Sequence, residues 1–317
     1  MPSSSLGYRN GCVAYNPDIP ISYGYKPSLA AGVVFCVLFG LSMVLHVVQS
    51  VWKRNWWSFV FSIGAMVELL GWAGRAWSSQ CVYNNTAFLM QISTLIIAPT
   101  FFTAGIYIIL GRLITMFGRH TSPLTPYMYL WIFCTCDVVS LVVQAIGGGM
   151  ASGAYNTANG NTKPGTDVMV AGIVFQMASI TVFVYFFAIF LKRTRNMVFT
   201  RKINTLMAAT TLSVMTIYAR SIYRTIELIQ GWSGYLITHQ RYFIALDGSM
   251  MFIAVFVFNV VHPAWFLDTP AGLKAPGAIQ TESSEHELHN QEQNSEAPTL
   301  AGEGAQSEPK PVDNEEV

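Results

Sequence analysis

Charge is what this sequence has least of. Asp, Glu, Lys and Arg make up 11% of its 317 residues and apolar residues 52%, whereas an ordinary soluble domain carries about 25% charged residues. That deficit excludes a single water-soluble globule. The few charges are also divided unevenly. Residues 267–317 hold eleven acids against two lysines, a balance of −9, which leaves +10 for everything before them. Other shortages narrow the function. No glycine-rich phosphate loop is present, which argues against direct nucleotide-driven pumping by this chain. No lysine falls inside an apolar run, so a retinal Schiff base has no anchor. Only His46 and His262 lie in or at such runs, both near the same side of the membrane. Two histidines without a third ligand do not build a zinc site, so they are read as hydrogen-bonding helix ends, and no metal, cofactor or enzymatic activity is expected. Nothing in the pattern calls for nucleic acid.

What is present is a series of apolar runs, each meeting the roughly 20 residues needed to cross a hydrocarbon layer of about 30 Å. Seven are expected, over 29–51, 56–77, 88–110, 127–151, 168–191, 206–230 and 242–266. The second and sixth contain ionised residues. Residues 1–28 are polar and lack the apolar centre of a cleavable signal peptide, so the first run is expected to act as its own targeting signal. The expected architecture is an all-α seven-transmembrane-helix bundle over 29–266, with a 28-residue segment before it and an acidic tail over 267–317. That tail is too poor in bulky apolar residues to offset its ordering entropy and is expected to be disordered.

Short-loop lysines and arginines set the orientation. Lys53, Arg54, Arg112, Arg119, Lys192, Arg193, Arg195, Arg201 and Lys202 follow the first, third and fifth runs, whereas only Lys163 and Arg241 follow the second, fourth and sixth. The nine-residue side is expected to be cytosolic, with the amino terminus outside and the tail inside. Aromatic residues cluster at run ends, as interface belts do. Trp56, Trp57, Tyr127, Tyr129, Trp131 and Trp265 fall at inner ends, and Trp77, Trp232, Tyr235 and Tyr242 at outer ends. On the expected outer side lie Cys12 and Cys81, the one pair in an oxidising compartment and hence a candidate disulfide. The sequon Asn84-Asn85-Thr86 is there too, although its closeness to the membrane weighs against glycosylation of Asn84.

The informative residues are the charges inside the runs, which are costly unless paired or facing an internal cavity. They are Glu68, Arg75, Asp137, Arg220, Arg224, Glu227 and Asp247. Residues seven apart return to within about 20° on a helix, so Glu68 shares a face with Arg75 and Asp137 with Gln144. Arg220, Arg224 and Glu227 form one stripe. Glu227 can satisfy only one arginine, so a second acid must come from Asp137, Asp247 or Glu68. Their depths run from mid-membrane to the outer leaflet, and Gln91, Gln144 and Gln176 add polarity, which together suggest a cavity opening outward or sideways. An ion-pair clamp that only fixes helix register is the competing reading. Gly147-Gly148-Gly149 permits close backbone approach, and Pro99 removes a hydrogen bond to Leu95.

The residues also carry a family resemblance. Tyr25-x-Pro27-Ser28, His46-x-x-Gln49, Glu68-x-x-Gly71-x-x-x-Arg75, Ala98-Pro99 with Tyr107 and Gly111-Arg112 stand in one order. Asp137-x-x-Ser140-x-x-x-Gln144-x-x-Gly147-Gly148-Gly149, Gly172-x-x-x-Gln176, Arg220-Ser221-x-Tyr223-Arg224-x-x-Glu227-x-x-x-Gly231 and Asp247 ahead of His262-Pro263 follow. Together they resemble the fungal lipid-translocating exporter family, related to resistance to aminocholesterol and to sphingoid long-chain bases. Gln240 stands where many members have Glu, and Trp72 where they have Tyr; the first departure bears on substrate more than on fold. The resemblance implies a seven-span fungal plasma-membrane protein that moves, or protects against, amphipathic lipids such as sphingoid bases or sterol-like compounds. It also implies a polar lining of Glu68, Arg75, Asp137, Gln144, Arg220, Arg224, Glu227 and Asp247. A seven-span lipid sensor or receptor has the same topology and is the alternative, although neither a D-R-Y nor an N-P-x-x-Y signature is present.

Overall fold

The computed structural model describes residues 12–13, 15–16, 21, 23–155, 160–197, 200–231 and 234–267. The acidic tail and Trp232 lie outside the described residues. Among those described, helices dominate and no strand occurs. Five long helices come first: α1 (Leu29–Trp52), α2 (Phe59–Gln80), α3 (Asn85–Phe117), α4 (Pro126–Tyr155) and α5 (Lys163–Thr194). They are followed by α6 (Arg201–Ile229) and by a last run assembled from α7 (Gln240–Phe243), a π turn (Ile244–Gly248) and α8 (Ser249–Val260). A short α9 (Pro263–Leu267) closes the described chain.

Local chemistry sets the helix ends. Ser28 Oγ accepts from Ala31 N ahead of α1, and Asn84 Oδ1 accepts from Thr86 N and Ala87 N ahead of α3. These caps satisfy amides that the first turn leaves without partners. Pro263 lacks an amide and disfavours helical backbone in the residue before it, and α8 stops at Val260. The helices outrun the apolar segments by about a turn at several ends. Lys163 starts α5, and Arg112 lies inside α3 with its guanidinium over the Trp57 ring.

Consecutive helices pack side by side, α8 returns between α6 and α1, and α3 also reaches α6 and α8. Helix α3 thereby contacts α2, α4, α6 and α8, and its Leu95, Ala98, Phe102, Ile106 and Tyr107 are buried. The exterior is apolar instead of charged. On α1 alone Val33, Val34, Val37, Leu41, Val44, Leu45, Val48 and Val51 are exposed, a helical stripe that only a lipid surrounding accommodates. Trp52, Trp56, Tyr127, Trp131 and Trp265 are exposed at one end of the bundle, and Trp77 and Tyr235 at the other. Tyr129 departs from the expected belt. It is buried and paired with Ser122, 2.8 Å between oxygens, because a helix face turned inward carries its aromatic into the core.

Six helical segments among the described residues are long and apolar enough to cross a membrane: 29–52, 56–80, 85–117, 126–154, 163–194 and 240–260. The expected count was seven. The difference is α6, whose 29 residues include five charged ones: Arg201, Lys202, Arg220, Arg224 and Glu227. Its length of about 43 Å exceeds the hydrocarbon thickness, but these charges lower its hydropathy; Arg201 and Lys202 are exposed at its start, whereas Arg220, Arg224 and Glu227 are buried.

Candidate functional site

The charged stripe on α6 meets its missing acid on the π turn. Arg220 Nε lies 2.8 Å from Asp247 Oδ1, and Arg224 Nε lies 4.0 Å from the same oxygen. Arg224 Nη1 donates to Glu227 Oε2 at 2.6 Å, and Tyr223 donates to the other oxygen of Glu227 at 3.0 Å. All five side chains are buried. Of the three acids that could have completed the stripe, Asp247 does so. Asp247 sits on the π turn, directly before Gly248. A Cβ at that glycine would stand 2.4 Å from the Trp72 ring. Glu68 is buried beside Trp72, within electrostatic reach of Arg220, Asp247 and Arg224.

Two expected lining residues stand apart from this cluster. Arg75 shares a helix face with Glu68, yet its guanidinium sits among aromatic rings, 4.4 Å from the Phe243 centroid and 5.6 Å from that of Tyr25. It donates to Tyr25 Oη at 2.7 Å. The segment before α1 therefore supplies a partner that none of the apolar runs contains. Tyr23 donates toward Ser78 Oγ and Gln91 Oε1, and Cys12 is disulfide-bonded to Cys81. Burial pushes the Tyr23 phenol up to about 12, a shift the Ser78 bond and nearby Arg75 only partly offset. Gln240 accepts from Ser28 N at 3.2 Å.

Asp137 is the second outlier. Its Oδ2 accepts from Thr103 at 3.0 Å and Tyr107 at 3.2 Å, and it takes part in none of the ion pairs among the described residues. Asp137, Gln144, Gln176, Arg220 and Arg224 line a buried cavity of about 30 Å³ between α3, α4, α5 and α6. Gln144 and Gln176 are bonded to each other at 3.1 Å.

Beside this cavity opens a cleft of about 840 Å³ between α3 and α4, at the end of the bundle that carries Cys81. Phe88, Leu89, Ile92, Ile96, Ile97, Val138, Leu141 and Val142 make it apolar. Ile96 and Gln144 line both spaces, so the cleft ends where the polar cavity begins. Its size falls in the range of ligand pockets, about 300–1,000 Å³. Hydropathy hides such a cleft, because its lining looks like any lipid-facing surface.

A second polar layer went unread in the sequence. Toward the Lys53 end, His46 Nε2 lies 3.3 Å from Val255 O and Gln49 donates to Asn259 O at 2.8 Å. Asn259 Nδ2 donates to Ser42 Oγ, and the His46 and His262 rings lie 5.9 Å apart. Both histidines are thus interior residues. Phe61 stacks on the His46 ring, 5.6 Å between centroids, and Phe39, Phe61 and Ala65 are fully buried. The scattered neutral residues of this layer give no charge signal; only the period of Ser42, His46 and Gln49 hints at it.

These features define a class: a multi-pass α-helical membrane protein with a buried charge cluster beside a lateral apolar cleft. The RTA1-like protein family matches residues 61–270, and the chain belongs to that family. The sphingoid long-chain base transporter RSB1 of Saccharomyces cerevisiae is 34% identical to it, over 83% of this chain and 79% of the relative. The same organism's protoporphyrin uptake protein 1 and protein RTA1 are each 30% identical over 76% of this chain, covering 91% and 84% of their own lengths. No solved structure matches. At the family level these names stand for lipid-related transport, and none is an enzyme's name.

Proposed function

We propose that this protein translocates single-chain cationic amphiphiles of the sphingoid-base kind, with the tail in the α3/α4 cleft and the amine at Asp137. The supporting observation is the junction at Ile96 and Gln144, where an apolar cleft meets a polar cavity containing a carboxylate that hydroxyl groups alone satisfy. Arg220 and Arg224 are already engaged by Asp247 and Glu227, so the charge left for a ligand is negative. Gln144 and Gln176 suit the hydroxyls of such a head. Glu68 stands beside the charge cluster that borders this cavity, whereas Arg75 lies apart from it, bonded to Tyr25.

In this reading α6 is a seventh span, because Arg220, Arg224 and Glu227 turn inward, Arg201 and Lys202 stand at its start, and its outer face is apolar. Residues 1–28 and the Cys12–Cys81 bond lie outside the cell, 29–266 cross the plasma membrane, and 267–317 form a cytosolic tail. Asn84, whose carboxamide oxygen caps α3, carries the one sequon on the outer side. Export from the cell would confer resistance to the lipid. The direct test follows a fluorescent sphingoid base and a fluorescent phospholipid across liposomes holding the purified protein. Wild type is expected to speed the amine at least about tenfold over Asp137→Asn, the equivalent of about 1.4 kcal/mol in the barrier, and to leave the phospholipid unmoved. No crossing by folded, inserted wild type, with or without a proton gradient, refutes translocation and favours a lipid sensor.

A further inference from the structure

Regular helix is interrupted twice near the charge cluster, and one side chain touches both interruptions. Pro99 stands inside α3. Having no amide, it leaves the carbonyl of Leu95 without its helix partner, an arrangement that a hydrocarbon surrounding makes costly. Arg220 Nη2, on α6, donates to that carbonyl at 2.7 Å. The Nε of the same guanidinium lies 2.8 Å from Asp247 on the π turn, the second interruption.

The position of Pro99 relative to the cleft gives this bond a consequence. Every α3 residue that lines the cleft, from Asn85 to Ile97, precedes Pro99. Beyond it Phe102, Ile106 and Tyr107 are fully buried in the core. Bending at Pro99 therefore moves the cleft wall while the rest of α3 stays anchored. The polar cavity behind that wall, at about 30 Å³, lies far below the ligand-pocket range of about 300–1,000 Å³ and cannot admit a lipid head until the wall moves.

We propose that Arg220 is a positioning residue that latches the cleft wall. Seated on Leu95 O and Asp247, it holds α3 closed; drawn toward Glu68, a buried acid within its electrostatic reach, it frees the Leu95 carbonyl and lets α3 bend. This inference deepens the translocation reading and rests on it for its purpose, since the latch would control access of the lipid head to Asp137.

Hydrogen exchange on the full chain in nanodiscs tests the latch without any lipid being moved. Arg220→Gln is expected to speed exchange over 85–98 at least about tenfold, leaving 101–117 unchanged, as local opening requires. Pro99→Ala supplies the missing amide, so Leu95 O regains a partner within α3. The double variant Pro99→Ala/Arg220→Gln is therefore expected to return to within about threefold of wild type, the coupling expected of residues that share a hydrogen-bond partner, here Leu95 O. Unchanged exchange in Arg220→Gln, or acceleration that Pro99→Ala fails to reverse, overturns the latch. Should Arg220→Gln not fold, Pro99→Ala alone must slow both exchange over 85–98 and amine crossing; unchanged rates overturn it equally. A protein that moves no lipid yet shows the rescue retains the latch and loses only the translocation reading.

Discussion

Gly147 and Gly149, two residues apart in one glycine run, should respond in opposite ways to the same methyl group. A Cβ on Gly147 would stand 2.4 Å from Met169 N and 2.7 Å from Gly165 O on α5. Both are backbone atoms, so no side chain can rotate away, and α4 and α5 must part by about 1 Å to restore ordinary contact. Overpacking of this kind costs about 1–3 kcal/mol, against about 1 kcal/mol regained because alanine favours helix over glycine. A Cβ on Gly149 meets nothing within 4 Å, so only the gain remains. Gly147→Ala and Gly149→Ala should therefore differ by about 1–3 kcal/mol in unfolding free energy, measured by equilibrium denaturation in mixed micelles. Equal stabilities would refute the packing argument. Function separates them as well: Gly149 lines the cleft, so Gly149→Trp should block amine crossing while the protein stays folded.

Further outcomes follow from the same geometry. Asp247→Asn leaves Arg220 and Arg224 buried with Glu227 as their one paired acid, and should cost about 3–5 kcal/mol, read as a lowered midpoint in the same denaturation experiment. Reducing the Cys12–Cys81 bond, which closes a separation of 69 residues, should cost about 4 kcal/mol by loop entropy and expose both thiols to labelling. Burial raises the Tyr23 phenol to about 12, above its unfolded value of about 10. Its contribution is therefore complete below about pH 10 and falls as pH rises toward 12, a decline that Tyr23→Phe should remove.

The helices were legible because their signals are local. Apolar runs of spanning length, caps such as Ser28 and Asn84, and the Pro263 stop each act within a few residues, so order and approximate extent can be read along the chain. The seven-apart spacing likewise put Asp137 with Gln144 on one cavity and Arg220, Arg224 and Glu227 on one stripe. Spacing on a helix says nothing of what lies opposite. That Asp247, and not Asp137, reaches the arginines depends on how α8 is rotated against α6 and on the π turn that carries it. Arg75 left Glu68 for Tyr25 because a segment more than forty residues earlier folds back over it. Three adjacent glycines look alike in sequence, yet one is pressed against α5 and another opens onto the cleft. Membership of the transmembrane bundle, its inward charges and its family were thus properties of the chain itself. Which charges pair, where the cleft opens and which carbonyl Arg220 holds were decided by helix rotation and close approach, quantities that exist only once distant segments have packed.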